Sequence, residues 1–240
     1  YGSSLGPIML CRVVTSGYVR IAGPVINASH EKMCKEMLEY GAELIIIDGA
    51  IDRKSIAAPG TSDAIILSTG AVLSRSMKKV IEETAHTVGL YRLPCIEEGY
   101  AKQVVEEHIQ DEQVLIISED QVKVLDLKTG LGAGKFLDSE IDSTTKYIYV
   151  PGAFTQSVFA DISPRKLKNI TFILKDPTKI FIDAVSWGQY KKKGLKVEVL
   201  ENIEIAAITV NPSAPGGYAF DHEELLKGVQ EAIPDIPVID

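Results

Sequence analysis

The 240-residue chain has little of what usually marks a specialised protein class. It holds only three cysteines, Cys11, Cys34 and Cys95, and no two of them stand in a CxxC spacing. An odd, scattered set argues against a disulfide framework and against a zinc knuckle, and predicts reduced, buried thiols. Aromatic residues make up 7% of the chain, with a single tryptophan, Trp187. No apolar run approaches the roughly 18 residues that span a bilayer, and the expectation is of no secretory leader. Positive charge is in deficit. Lys and Arg number 25 against 33 Asp and Glu, for a net charge of -8, and residues 1–115 and 116–240 carry -4 each. With no basic half, a grip on the nucleic-acid phosphate backbone is excluded as a leading function. The chain begins at Tyr1 rather than Met, and the expectation is that a natural start lies upstream. The location expected is the cytoplasm.

What is present is globular. The hydrophobic fraction is 45% and the charged fraction 24%, enough for a sizeable core. Short β-branched runs alternate with helical periods, so the fold class expected is α/β, with open, mostly parallel sheets and helices on both faces. Two α/β halves are expected, 1–127 and 146–240. The Gly-, Asp- and Thr-rich segment 128–145 reads as hinge or linker.

Several local readings follow. Gly6–Val14 and Tyr18–Ala22 read as strands joined at Thr15-Ser16-Gly17. Ser29 is the expected cap of a helix over His30–Tyr40, stopped by Gly41. The run from Glu43 to Asp48, with four consecutive aliphatics, reads as a central parallel strand, apolar on both faces. Ala64 to Gly70 repeats the form, and a helix capped by Ser74 follows. Leu90–Leu93 reads as a further strand. Asp176-Pro177 reads as the start of a helix ending at Gly194, with Ile180, Phe181, Ala184 and Val185 as its buried stripe.

In open α/β sheets the ligand crevice lies beyond the carboxyl ends of the strands. Strand-end residues are therefore the first candidates. Asp48 closes its aliphatic run as a Walker B carboxylate does, and is the candidate Mg²⁺ ligand. Asp52, Arg53, Lys54 and Ser55 follow within one turn's reach. The two cations suit phosphate and the hydroxyl suits a cap or a phosphate oxygen. Ser68, Thr69 and Gly70 end the next strand and are candidates to line the same crevice. Glu83 and His86, three apart on one helix face, offer a half site for acid–base or metal chemistry, or a plain surface pair. Ser213, Tyr218 and Asp221 stand in a loop longer than a mere βα connector and could face a partner or ligand. Asp221 can equally be the cap of the next helix.

Gly130-Leu-Gly-Ala-Gly134-Lys135 is not a phosphate loop. Thr129 stands where the first glycine is required, and Phe136 where Ser or Thr must follow the lysine. No nucleophile elbow and no HExxH occurs, so the residues themselves assign no catalytic group.

The stretches Leu5-Gly6-Pro7, Tyr18 to Pro24, Ile47 to Ser55, Ser68 to Ala71, Val80 to Thr87 and Asn211 to Asp221 resemble an accessory protein encoded with adenosylcobalamin-dependent lysine and ornithine aminomutases. The resemblance covers most of the chain. It implies a subunit of the system that reactivates those mutases, with the mutase and a companion reactivase subunit as partners; a homo-oligomer stays open beside them. It also implies a P-loop-like nucleotide fold with a GKT motif in an upstream segment, which this sequence does not contain. ATP and Mg²⁺ are then cofactors of the longer protein, with Asp48 matching the acidic half of the site. Two other classes stay open on the residues alone: a P-loop-type small-molecule ligase or ATPase fragment, and a non-catalytic interaction scaffold.

Overall fold

The computed structural model describes residues 2–3, 6–19, 23–24, 26–48, 57–127 and 132–240. The chain forms two compact units, Tyr1–Asp63 and Ala64–Asp240. This division lies well before the 128–145 segment that the composition marks as a hinge. The architecture is α/β, with parallel-rich sheets and no closed barrel among the described residues.

The first unit holds little regular structure. Strand β1 (Gly2–Ser3) pairs antiparallel with β2 (Gly6–Pro7). Of the strand expected over 6–14 only Gly6–Pro7 forms one. Residues 8–19 are irregular, with Val13, Val14 and Tyr18 exposed, and 20–22 lie outside the described residues. Helix α1 spans Asn27–Glu39, starting three residues earlier than the capping argument placed it, and Ser29 is inside its first turn rather than at its cap. Its stop is as expected. Gly41 takes φ 92°, and the amides of Gly41 and Ala42 return to the carbonyls of Leu38 and Met37 at 2.9 and 3.0 Å. That is a Schellman ending, which a residue without Cβ adopts at no steric cost.

The run over 43–48 forms no strand. Leu44 is 77% and Ile46 82% exposed. An aliphatic run becomes a buried strand only where neighbouring strands take up its amides and carbonyls. No ladder reaches 43–48 among the described residues.

In the second unit, strand β3 (Ile65–Gly70) leads to α2 (Met77–Tyr91), then α3 (Tyr100–Glu107). The cap of α2 is Ser76, whose Oγ accepts from the Lys79 amide; Ser74 instead accepts from Ser76. The strand expected over Leu90–Leu93 is the end of this helix and the turn after it. Strands β4 (Val114–Ile117) and β5 (Val122–Leu125) form an antiparallel hairpin. Helix α4 (Gly134–Glu140) lies inside the expected linker and buries Leu137. Then follow β6 (Tyr147–Tyr149), α5 (Pro164–Leu167), β7 (Thr171–Leu174), α6 (Ala184–Lys193) and β8 (Val197–Val199). Strand β9 (Ile205–Asn211), α7 (His222–Ala232) and β10 (Val238–Ile239) complete the chain.

The helix read from 176 starts later. Asp176 caps only a 3₁₀ turn over Pro177–Lys179, and Asp183 restarts the chain as α6 by accepting from the Ser186 amide at 2.9 Å. Residues 180–183 between the two caps are extended. Hence Ile180 and Ile182 are buried while Phe181 and Val185 are exposed, contrary to the helical stripe.

Two sheets organise this unit. One has the order β5-β4-β6-β7-β8, with β6, β7 and β8 parallel. Its core is aromatic. Phe154 and Phe159 both pack on Phe172, with centroids 5.1 and 6.1 Å away. The other has the order β10-β9-β3 and is wholly parallel. Helices α2 and α7 pack against each other over it. Gly228 permits this approach, because a Cβ there would stand 2.6 Å from Ile81 Cδ1. No helix among the described residues is long and apolar enough to cross a membrane.

Candidate functional site

The parallel pair β3 and β9 brings the carboxyl ends of two strands side by side, in the register Gly70 opposite Asn211. In an α/β sheet this edge is where ligands are received. Ser68, Thr69 and Gly70 end β3 at this edge, and Ser213, Tyr218 and Asp221 lie in the loop that leaves β9 from it.

Strand pleating sends Ser68 and Thr69 to opposite faces. Thr69 is buried beneath α2. Thr84 spends its hydroxyl proton on the Val80 carbonyl at 2.7 Å, so Thr69 donates to Thr84, 2.6 Å away. Thr69 therefore fixes α2 to the strand and does not face a crevice. Ser68 is exposed and lies 2.8 Å from the Thr209 hydroxyl on β9. Gly70 is required by close packing. A Cβ there would stand 2.9 Å from the Asn211 carbonyl carbon and nearer still to its oxygen. The same oxygen accepts from the Ala71 amide at 2.9 Å.

The 211–221 loop is a folded hairpin. Asn211 Oδ1 accepts from the Ser213 amide at 2.9 Å, an Asx turn. Ser213 and Ala219 bridge antiparallel, and Gly217 turns the tip at φ 75°. Tyr218 packs edge-on to Phe220 and donates to the Arg75 carbonyl at 2.8 Å, which ties the loop to the turn before α2. Asp221 is the cap of α7, accepting from the Glu224 amide at 2.9 Å. Its plain structural role is thus filled.

Arg75 and Thr209 belong to the same edge, and reading strand ends alone misses them. The signal for Thr209 is its place two residues before the strand end, on the same face as Asn211. For Arg75 it is the position just before the Ser76 cap. Its exposed guanidinium carries positive charge where α2 begins with unpaired amides.

The other candidates are not gathered here. Glu83 pairs with Lys79 across one helical turn at 3.6 Å. The His86 ring donates Nε2–H to the Ile182 carbonyl at 2.9 Å and stands edge-on to Trp187. The two are a surface pair and a helix-packing ring. Asp48 is exposed at the end of its irregular segment in the first unit. Asp52, Arg53, Lys54 and Ser55 lie outside the described residues. No group of three or more His, Cys, Asp or Glu converges among the described residues. The described donors therefore do not make a protein-only cage for Mg²⁺, and no step below is routed through a metal. The cysteines are free thiols, with Cys11 and Cys95 exposed and Cys34 half-buried, so the expectation of buried thiols fails.

Comparison of the chain with models of known protein families, with curated proteins and with solved structures finds no match.

Proposed function

We propose that the protein is an accessory subunit that reactivates a cobalamin-dependent amino-acid aminomutase, and that the β3–β9 edge is its nucleotide-responsive site. The observation that carries this reading is the edge itself. Two parallel strand ends, a glycine that admits backbone to backbone, a hydroxyl pair and an exposed arginine ahead of a helix start are brought together. Their chemistry suits an anionic, hydroxyl-rich ligand such as a nucleotide. The resemblance of the Ser68 to Ala71 and Asn211 to Asp221 stretches to the aminomutase accessory family supplies the partner. Nucleotide binding would act by favouring an opened mutase from which damaged cobalamin leaves. That shift requires tighter binding to the open state. The setting proposed is the cytoplasm.

The test is reactivation. An adenosylcobalamin aminomutase is inactivated by turnover, then given fresh cofactor and Mg·ATP with or without the protein. Recovery only with both protein and Mg·ATP is the expected result. Arg75→Ala should keep the melting temperature within about 1 °C, since the contact to Tyr218 uses the backbone carbonyl. It should raise the Mg·ATP concentration needed for recovery about tenfold, the loss of one charge-assisted contact. Recovery independent of the protein would refute the accessory role. Recovery unchanged by Arg75→Ala would move the nucleotide site elsewhere.

A further inference from the structure

A cavity lies in the Ala64–Asp240 unit, at the carboxyl edge of the other sheet. It has a volume of about 180 Å³. Lys175 follows β7 directly, and Leu200 and Glu201 follow β8. Helix α3 forms the facing wall with Lys102 and Glu106, and Ile109 closes the end.

The backbone fixes the two strand-end residues. The Leu200 amide donates to the Leu174 carbonyl at 2.9 Å, and the Glu201 amide to the Lys175 carbonyl at 3.3 Å. The ladder thus continues past both strands and holds Lys175 and Glu201 on neighbouring chains beside one cavity. The two opposite charges do not join each other, and neither makes an ion pair with another of the described residues. Lys102 differs. It is bonded to Glu98, just before α3, with Glu106 of α3 4.0 Å away on its other side, so its charge is already matched. The cavity therefore presents one unspent cation and one unspent anion, with the aliphatic surfaces of Ile109 and Leu200 between polar walls.

Size narrows the occupant. A cavity of 180 Å³ holds the liquid volume of about six waters at roughly 30 Å³ each. Drug-sized ligands fill about 300 Å³ or more. Whatever its size, an occupant has to meet both charges, and a single ion leaves one unmatched. A small molecule bearing both charges satisfies both residues and covers the aliphatic surface.

We infer that this cavity binds a free α-amino acid, its carboxylate on Lys175, its ammonium on Glu201 and its side chain against Ile109 and Leu200. The site is separate from the β3–β9 edge, and nothing in it depends on the nucleotide reading.

Titration calorimetry tests it with L-norvaline, and with butyrate and butylamine as analogues bearing one charge each. Norvaline should bind at one site per chain, and each analogue should bind at least tenfold more weakly. Lys175→Gln should selectively weaken norvaline by at least tenfold. Glu201→Gln should do the same, and both variants should melt as the parent does, because the two side chains are exposed. Absence of norvaline binding to the parent overturns the inference. So does equal binding of either analogue, or norvaline binding unchanged in both variants. Failure here leaves the reactivation assay untouched, and success in either says nothing of the other.

Discussion

Gly70 gives the sharpest test of how the candidate edge is built. A glycine-to-alanine change at an open, compatible position stabilises by about 0.4–1 kcal/mol through the unfolded chain. At Gly70 the added Cβ meets backbone, 2.9 Å from the Asn211 carbonyl carbon and 3.1 Å from its Cα. Backbone in a paired strand cannot rotate aside as a side chain does. The end of β3 must separate from β9. Overpacking of this kind costs about 1–3 kcal/mol. Separation also weakens the hydrogen bond from the Ala71 amide to Asn211, worth about 1 kcal/mol. After the unfolded-state gain is subtracted, Gly70→Ala should destabilise by about 1–3 kcal/mol. At about 2–4 °C per kcal/mol for a chain near this size, the melting temperature falls by roughly 2–12 °C. Gly89→Ala is the matched control. Gly89 lies in α2 with nothing within 4 Å of its Cβ position, so the same change there should raise stability by about 1 kcal/mol. Thermal melts followed by circular dichroism give both values, and hydrogen exchange at the Ala71 amide localises the first. If Gly70→Ala melts at or above the parent temperature, the close approach of the two strand ends is wrong.

Phe172→Ala should cost about 3–5 kcal/mol in denaturant unfolding, because the ring is fully buried against Phe154 and Phe159. Asp221→Ala removes the α7 cap and should cost about 1 kcal/mol, whereas Asp221→Asn should cost far less, since an amide oxygen caps equally well. Tyr149 is pushed up to about 12, first by burial and then by the charges of Asp176 and Glu112. A phenol raised in the folded state favours folding fully below its unfolded value near 10 and loses that contribution as pH climbs toward 12. Stability should fall across that interval, and Tyr149→Phe should flatten the fall; equal slopes for both proteins would refute the assignment to Tyr149.

The sequence made some of this legible for physical reasons that can be named. Asp221 followed by a helical period declares a cap, and the structure places one there. Strands β3, β4 and β9 are aliphatic runs that end in polar or turn residues, and each forms. Yet the run over 43–48 has the same look as β4 and stays irregular, with Ile46 exposed where Ile116 is buried. Periodicity describes what a segment can bury, and only a partner strand decides whether it does. The 176–194 region failed for a different reason. It offers two aspartates able to cap, and a 3.6-residue stripe drawn from the first runs through the extended residues before the second. Choosing between caps needs the tertiary contact, here the burial of Ile180 and Ile182.

The pairing of β3 with β9 was beyond reach of any local signal, since no residue in either strand encodes a neighbour about 140 positions away. What the pairing does to the candidate residues is equally non-local. Thr69 is spent on Thr84, Asn211 Oδ1 on Ser213, Tyr218 on the Arg75 carbonyl and Asp221 on the α7 amides. These bonds exist without a ligand, so the edge is held in one shape before anything binds. A ligand that docks there need not pay to order the loop, and its affinity rests on groups such as the Arg75 guanidinium and the Ser68–Thr209 hydroxyl pair. An edge so arranged is suited to holding a ligand in place. Substitutions at Arg75 should therefore act on affinity, while those at Thr69 or Tyr218 should act through stability.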